Sequence, residues 1–186
     1  MDLIRKFGGV SGIAQQAAGI DLGLGGGGSS VKSIQHLSLS LSTGQTSVSG
    51  TISSVNVSNS IVLVTCEDAN WDSATFVAAN ITDSTTVGLV RGGSQPTTQG
   101  YNVTVIEYNN VKSRQTGQVS IPSGTYDTTV TITAVNESKA YVVASFRTNT
   151  VAINSPTLSY KLSGTSLQIK KSYLDMVVRW QIIEFK

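Results

Sequence analysis

From Ser33 onward the chain is written in alternation. Leu37, Leu39 and Leu41 take turns with Ser38, Ser40 and Ser42, which is the period of a half-buried strand. Thr43-Gly44-Gln45-Thr46 is a turn by composition. Val48–Val55 reads as a second strand and Asn56–Ser60 as a polar turn. Ile61–Cys66, a continuous and mostly β-branched run, reads as the central buried strand of its unit. Further strands are predicted near Thr75–Asn80, Thr85–Arg91 and Tyr101–Tyr108, with Gly92-Gly93-Ser94-Gln95-Pro96 opening a long loop before the last. The series then recurs at Gln118–Ile121, Thr128–Val135, Ala140–Phe146, Thr157–Lys161, Ser166–Lys170 and Met176–Glu184. No helical period occurs after residue 30. Short strands at regular spacing with turn signals between them predict an all-β sandwich architecture.

The recurrence is an internal duplication. VKSIQHLSLSLSTGQTSVSGTISSVNVSNSIVLV (31–64) aligns without a gap with VKSRQTGQVSIPSGTYDTTVTITAVNESKAYVVA (111–144), and roughly a third of the positions are identical. Val31, Lys32, Ser33, Gln35, Ser40, Gly44, Thr51, Ile52, Val55, Asn56, Ser58 and Val62 each meet an identical partner. Asp83–Leu89 continues in the same frame against Ser163–Ile169. The units close on YNVTVIEY (101–108) and VRWQIIEF (178–185). Pairing those endings takes a deletion of about three residues in the preceding loop, where length changes are tolerated. The expected organisation is a Gly-rich N-terminal arm (1–30), a first β-sandwich copy (31–110) and a second (111–186). Each copy is smaller than a self-sufficient domain usually is, so the copies are expected to lean on each other or on other subunits.

Composition sharpens this. Only 13% of residues are charged, while Ser, Thr, Asn and Gly abound, which suits hydroxyl-rich strand surfaces better than helix. The net charge of +2 is too weak to argue for nucleic acid. Its distribution is uneven. The first copy sets Lys32 and Arg91 against Glu67, Asp68, Asp72, Asp83 and Glu107, about −3. The second sets its many Lys and Arg against Asp127, Glu137, Asp175 and Glu184, about +5. Opposite charge on two copies of one fold favours head-to-tail contacts within or between chains, although drift of solvated surface charge is the simpler account. The single cysteine, Cys66, excludes an intrachain disulfide. Phe146 stands in its place in the second copy, so Cys66 is expected at a buried strand end, as a small hydrophobe. No apolar run is long enough to span a membrane.

Residues 1–30, MDLIRKFGGVSGIAQQAAGIDLGLGGGGSS, carry Arg5 and Lys6 but no continuous apolar stretch after them, so a secretory signal is not expected. Leu3, Ile4 and Phe7 have helical spacing, and 13–18 has the makings of one or two turns, too short to be stable alone. Gly23–Ser30 has the composition of a flexible linker. The functional reading is an anchoring arm that docks through Leu3, Ile4, Phe7 and Ile13. The plain alternative is a frayed terminus.

The duplicated units resemble a β-sandwich module of bacteriophage virion proteins, on the opening VKSIQ, the stretch SGTISSVNVSNSIVLV, the strand pair ITDSTTVGLVR and the closing VRWQIIEF. The layout is also similar to H-type lectin domains, whose last strand carries Trp in a V-x-W frame, here Val178-Arg179-Trp180; the first copy departs with Val103 in place of that Trp. The resemblance covers about 31–186 and implies a non-enzymatic structural component of the virion, a tail, collar or fibre protein or a capsid decoration. It implies partners among other virion proteins and a homo-oligomer, trimeric or hexameric, without cofactor or metal. The alternative is a carbohydrate-binding module or adhesin that recognises a host-surface glycan.

The strongest chemical candidate is Glu67-Asp68-Ala69-Asn70-Trp71-Asp72. An indole stacks on a pyranose face and Glu67, Asp68 and Asp72 accept from hydroxyls. Clustered oxygens also suit Ca²⁺, but the spacing matches no calcium loop. The second copy has no carboxylate or indole there, and the plainer reading is an acidic loop with Trp71 capping the core. Glu107 and Glu184 occupy one position in the two copies. Their expected role is structural, with Lys32 and Lys112 as natural partners.

Overall fold

The computed structural model describes residues 30–67, 76–93, 97–148, 157–172 and 174–186. The strands are β1 (Val31–Leu41), β2 (Ser47–Thr51), β3 (Ser60–Cys66), β4 (Val77–Asp83), β5 (Thr86–Arg91), β6 (Gln99–Tyr108), β7 (Val111–Ile121), β8 (Asp127–Thr131), β9 (Ala140–Thr148), β10 (Leu158–Ser163), β11 (Ser166–Lys171) and β12 (Met176–Phe185). The first six form two three-stranded antiparallel sheets, β1-β6-β3 and β2-β5-β4. The last six repeat them as β7-β12-β9 and β8-β11-β10. In each half the two sheets enclose one core. Leu41, Ile52, Val62, Val87, Leu89 and Val103 fill the first, and Ile121, Ile132, Leu167, Ile169, Trp180 and Ile182 the second. The all-β class and the doubled architecture expected from the alternation are those of the structure.

Register ties the halves together residue by residue. Leu37 faces Val103, and Gly117 faces Trp180, so Val103 and Trp180 are equivalent and the loop deletion falls where the alignment places it. Both first strands bulge at the same lysine: the ladder slips between Val31 and Ser33, and again between Val111 and Ser113. Gly44 and Gly124 sit at φ 81° and 82°, left-handed turn positions that only glycine takes without strain.

Three expectations change. β2 and β8 stop at Thr51 and Thr131 rather than running to Val55 and Val135. The chain peels away there, and its N–H groups bond instead to the β4–β5 and β10–β11 turns: Ile52 to Thr85 O, Val55 to Ser84 O, Ile132 to Thr165 O and Val135 to Gly164 O. Asn56 and Asn136 then cap 3-10 turns by accepting from the N–H of Ser58 and Ser138. Secondly, Ile61–Cys66 is not the central strand, because β6 lies between β1 and β3. Ile61 is buried although β3 is an edge, since the second copy covers it, while the Val62 side chain turns into the first copy's own core. Thirdly, Cys66 is exposed. It faces Tyr101 across the ladder, and Val178 faces Phe146 at the equivalent pair. The aromatic therefore sits on β6 in one copy and on β9 in the other, and Cys66 is small because Tyr101 fills the core beside it.

The seam between copies is built like a core. Ile61, Ile106 and Tyr108 of the first pack with Val111, Ile183 and Phe185 of the second. Tyr141 Oη donates to Tyr108 Oη at 2.6 Å, and the Tyr108 and Phe185 rings meet edge to face at 5.3 Å. Gln181 clamps the open edge of β3: its Nε2 donates to Val62 O at 2.8 Å, and its Oε1 accepts from Val62 N at 3.1 Å. Ala79 N, on the open edge of β4, donates to Ser145 Oγ at 2.9 Å. Phe76 stacks on Phe146. One edge of the first sandwich is thus seated on the outer face of the β7-β12-β9 sheet. β12 is buried on both sides, with Trp180 and Ile182 toward its own core and Gln181 and Ile183 toward the first copy.

Candidate functional site

Among the described residues the seam leaves a cleft. Ala79 and Asn80 of β4 form one wall, and Thr116, Gly117 and Gln118 of β7 with Arg179 and Gln181 of β12 form the other, around about 200 Å³ of open space. Alternation sets its chemistry. Thr116, Gln118, Arg179 and Gln181 lie opposite one another in register, so they share the outer face of the sheet. Trp180 borders the cleft from the strand, but its indole turns the other way, into the core under Gly117. Arg179 Nε donates to Gln118 Oε1 at 3.2 Å, and Gln181 is already committed to Val62. The cleft offers amide, hydroxyl and guanidinium groups, a set that binds by hydrogen bonding. Deeper in the seam, burial holds the Arg114 guanidinium below its ordinary pKa, while Nη2 reaches Gln181 Oε1 at 3.4 Å.

The duplicated carboxylates are structural. Glu107 accepts from Lys32 Nζ at 2.8 Å, Ser33 Oγ at 3.3 Å and Asn56 N at 3.0 Å. Glu184 accepts from Lys112 Nζ at 2.8 Å, Ser113 Oγ at 3.0 Å and Asn136 N at 2.9 Å. The bulge places each lysine over its glutamate. For Glu107, burial opposes the charged form, but the lysine, the Asn56 N–H and the serine outweigh it and hold the carboxyl below its ordinary value. For Glu184 the lysine bond is the leading cause of a shift in the same direction.

A second duplicated polar pair carries no recognisable sequence motif. The Gln35 amide bonds both N and O of Ser53, and Gln115 does the same to Thr133, tying each first strand to the segment that has left the opposite sheet. Arg91 and Lys171 are likewise equivalent. Arg91 is buried and donates to Ser42 O and Gln45 O; Lys171 donates to Ser172 O and Leu174 O.

Of the predicted loop site, Glu67 is described: it is exposed and its carboxylate lies over Gly100. Asp68, Trp71 and Asp72 lie outside the described residues, as do Leu3, Ile4, Phe7 and Ile13 of the arm. The one histidine of the chain, His36, bonds Thr104 Oγ1 at 3.0 Å. Cys66 pairs with Tyr101, whose side chain fills the core, so thiol and imidazole point to opposite faces of the sheet. Among the described residues no group of three or more His, Cys, Asp or Glu is placed to hold a metal ion, and no helix is long and apolar enough to cross a membrane. Comparison with family models, with curated proteins and with solved structures gives no match.

Proposed function

We propose that the chain is a non-enzymatic structural component of a bacteriophage virion, a tail, collar or fibre protein or a capsid decoration, attached through its N-terminal arm. The observation that favours a structural role is the seam. Two small sandwiches are joined by a buried, hydrogen-bonded contact, and their most buried carboxylates are consumed in holding strands together. That is the build of a rigid spacer. The sequence resemblance supplies the virion setting, and the arm with its glycine linker supplies reach. The reading expects other virion proteins as partners and self-association of the chain. The test is deletion of residues 1–30: the sandwiches stay folded by circular dichroism, and the protein no longer co-sediments with particles. Normal incorporation of the truncated chain refutes the anchor.

A second reading, recognition of a host-surface glycan, is favoured by the cleft, where Asn80, Thr116, Gln118 and Arg179 present donors and acceptors suited to sugar hydroxyls. Glycan-array binding that is lost in Arg179→Ala and Gln118→Ala, at unchanged melting temperature, supports it. An array without signal removes it.

A further inference from the structure

The seam is heterologous: an edge meets a face. Because the two halves share one fold, each also carries the surface that the other uses. The face buried in the second copy, β7-β12-β9, has a counterpart in the first, β1-β6-β3, whose Ile61, Leu63 and Ile106 end is taken up by the seam and whose other end is open. There Ile34 is 41% exposed, His36, Ser38, Thr65 and Asn102 are exposed, and Thr104 is half-buried. The edge buried in the first copy, β3–β4, has its counterpart in β9–β10, which is open along β10. Ala79 is 2% exposed, whereas its register equivalent Tyr160, opposite Ile169 as Ala79 is opposite Leu89, is 43% exposed. Ile34 and Tyr160, two of the large hydrophobic side chains left exposed, thus lie one on the spare face and the other on the spare edge.

We propose that the chain assembles head-to-tail, the open β10 edge of one copy seating on the open end of the β1-β6-β3 face of the next and repeating the Ala79–Ser145 part of the contact made inside the chain. The chemistry carries over in part. Ser145, which accepts from Ala79 N, has Thr65 as its equivalent, opposite Asn102 as Ser145 is opposite Arg179. A hydroxyl therefore stands ready for the N–H of Tyr160. Charge gives the contact its direction. The covered face carries Arg114, Arg147 and Arg179, and the edge on it carries no Lys or Arg. The spare edge carries Lys161, and the spare face has no Lys or Arg among these outward residues and ends at Glu67. The basic edge therefore suits the first-copy face and is repelled by the second-copy one. A heterologous contact of this kind propagates as a ring if the rotation closes and as a filament if it does not.

This deepens the proposed structural role and rests on it only in expecting self-association; particle incorporation and solution assembly are separate measurements, so either can fail alone. The test is sedimentation equilibrium on the full chain, the face variant Ser38→Arg/Thr65→Arg and the edge variant Lys161→Glu. All three substitutions are at exposed positions, and folding is checked by circular dichroism. The wild type grows past a dimer with concentration. Each variant associates more weakly by about tenfold or more in Kd. An equimolar mixture of the two variants stops at a dimer, since one live edge and one live face remain. A wild type that stays monomeric, that saturates as a symmetric dimer, or that associates equally in all variants overturns the proposal. So does a chain that self-associates only after residues 1–29 are removed, which would make that segment the occupant of the face.

Discussion

The two cores solve one packing problem with different residues, and exchanging the solutions tests the equivalence. In the first copy Leu37 and Leu39 of β1 stand beside Val103 of β6 and project toward Gly50 of β2. A Cβ built on Gly50 would lie 2.6 Å from Leu37 Cδ1 and 2.7 Å from Leu39 Cδ2. In the second copy the corresponding residues are Gly117, Val119, Trp180 and Val130. There a Cβ on Gly117 would lie 2.7 Å from Trp180 Cε2, far inside contact distance. The indole has taken the volume that Leu37 occupies in the other copy. Gly117→Leu alone drives a side chain into a ring that is 7% exposed, and overpacking of this kind costs about 1–3 kcal/mol or more. Trp180→Val alone leaves a cavity, at about 2–4 kcal/mol by comparison with large-to-small aromatic truncations. The triple variant Gly117→Leu/Val130→Gly/Trp180→Val installs three of the first copy's four residues in the second, with Val119 kept in place of Leu39. It should be more stable than the sum of the single losses by at least about 2 kcal/mol, the scale of coupling between touching residues. For a chain of this size that corresponds to roughly 4–8 °C in melting temperature. Urea denaturation followed by far-ultraviolet circular dichroism measures the wild type, the three single variants and the triple without relying on Trp180 as the probe. Additive losses would show that the two cores are not interchangeable and would refute the argument.

Three further outcomes follow from the same geometry. Gln181→Leu keeps the volume but strands the N–H and C=O of buried Val62; the expected loss is about 2–4 kcal/mol in urea denaturation, with Gln118→Leu at the exposed cleft rim near zero. Glu107 and Glu184 have folded pKa values below the ordinary 4.5, so the stability they contribute is present above that value and is lost as pH falls through their folded values. Acid titration of the melting temperature should show a steeper fall below about pH 4.5 in the wild type than in Glu107→Gln/Glu184→Gln. Burial raises the pKa of Tyr108 and Tyr141 above the ordinary 10.0, so stability falls as pH rises past that point, and spectrophotometric titration should find both phenols ionising above the ordinary tyrosine range.

How far the sequence speaks depends on whether a residue's partner leaves a trace. Lys32 and Glu107 could be paired because both recur, as Lys112 and Glu184, and opposite charges at matching positions are a readable signal. Gln35 recurs as well, but its partner is the backbone of Ser53, and a backbone atom has no letter. Gln181 has no recurrence at all, since Thr104 stands at its place, and the clamp on Val62 could be found only in three dimensions. The run Ile61–Cys66 misleads for a related reason. A continuous apolar stretch reports burial on both sides without saying what does the burying: here it is partly the second copy, and the strand itself is an edge.

The seam also explains where the copies agree and where they differ. A contact between an edge and a face gives its two participants different tasks, so duplicated halves joined this way cannot stay equivalent at the surfaces that touch. Where each half needs the same internal device, the residues match: Gly44 and Gly124 in the turn, Asn56 and Asn136 at the cap, Gln35 and Gln115 at the tie. Where one half supplies the edge and the other the face, they part. Thr104 becomes Gln181 to reach a neighbour's strand, Thr65 becomes Ser145, and Ala79 of the covered edge stands against Tyr160 of the spare one. The same logic weighs on the assembly proposal. The spare face keeps a short hydroxyl, Thr104, where the covered face has the long amide of Gln181. A contact between chains would therefore lack the two-bond clamp and be weaker than the contact within one. That ordering is what an assembly needs if its subunits are to fold first and associate afterwards.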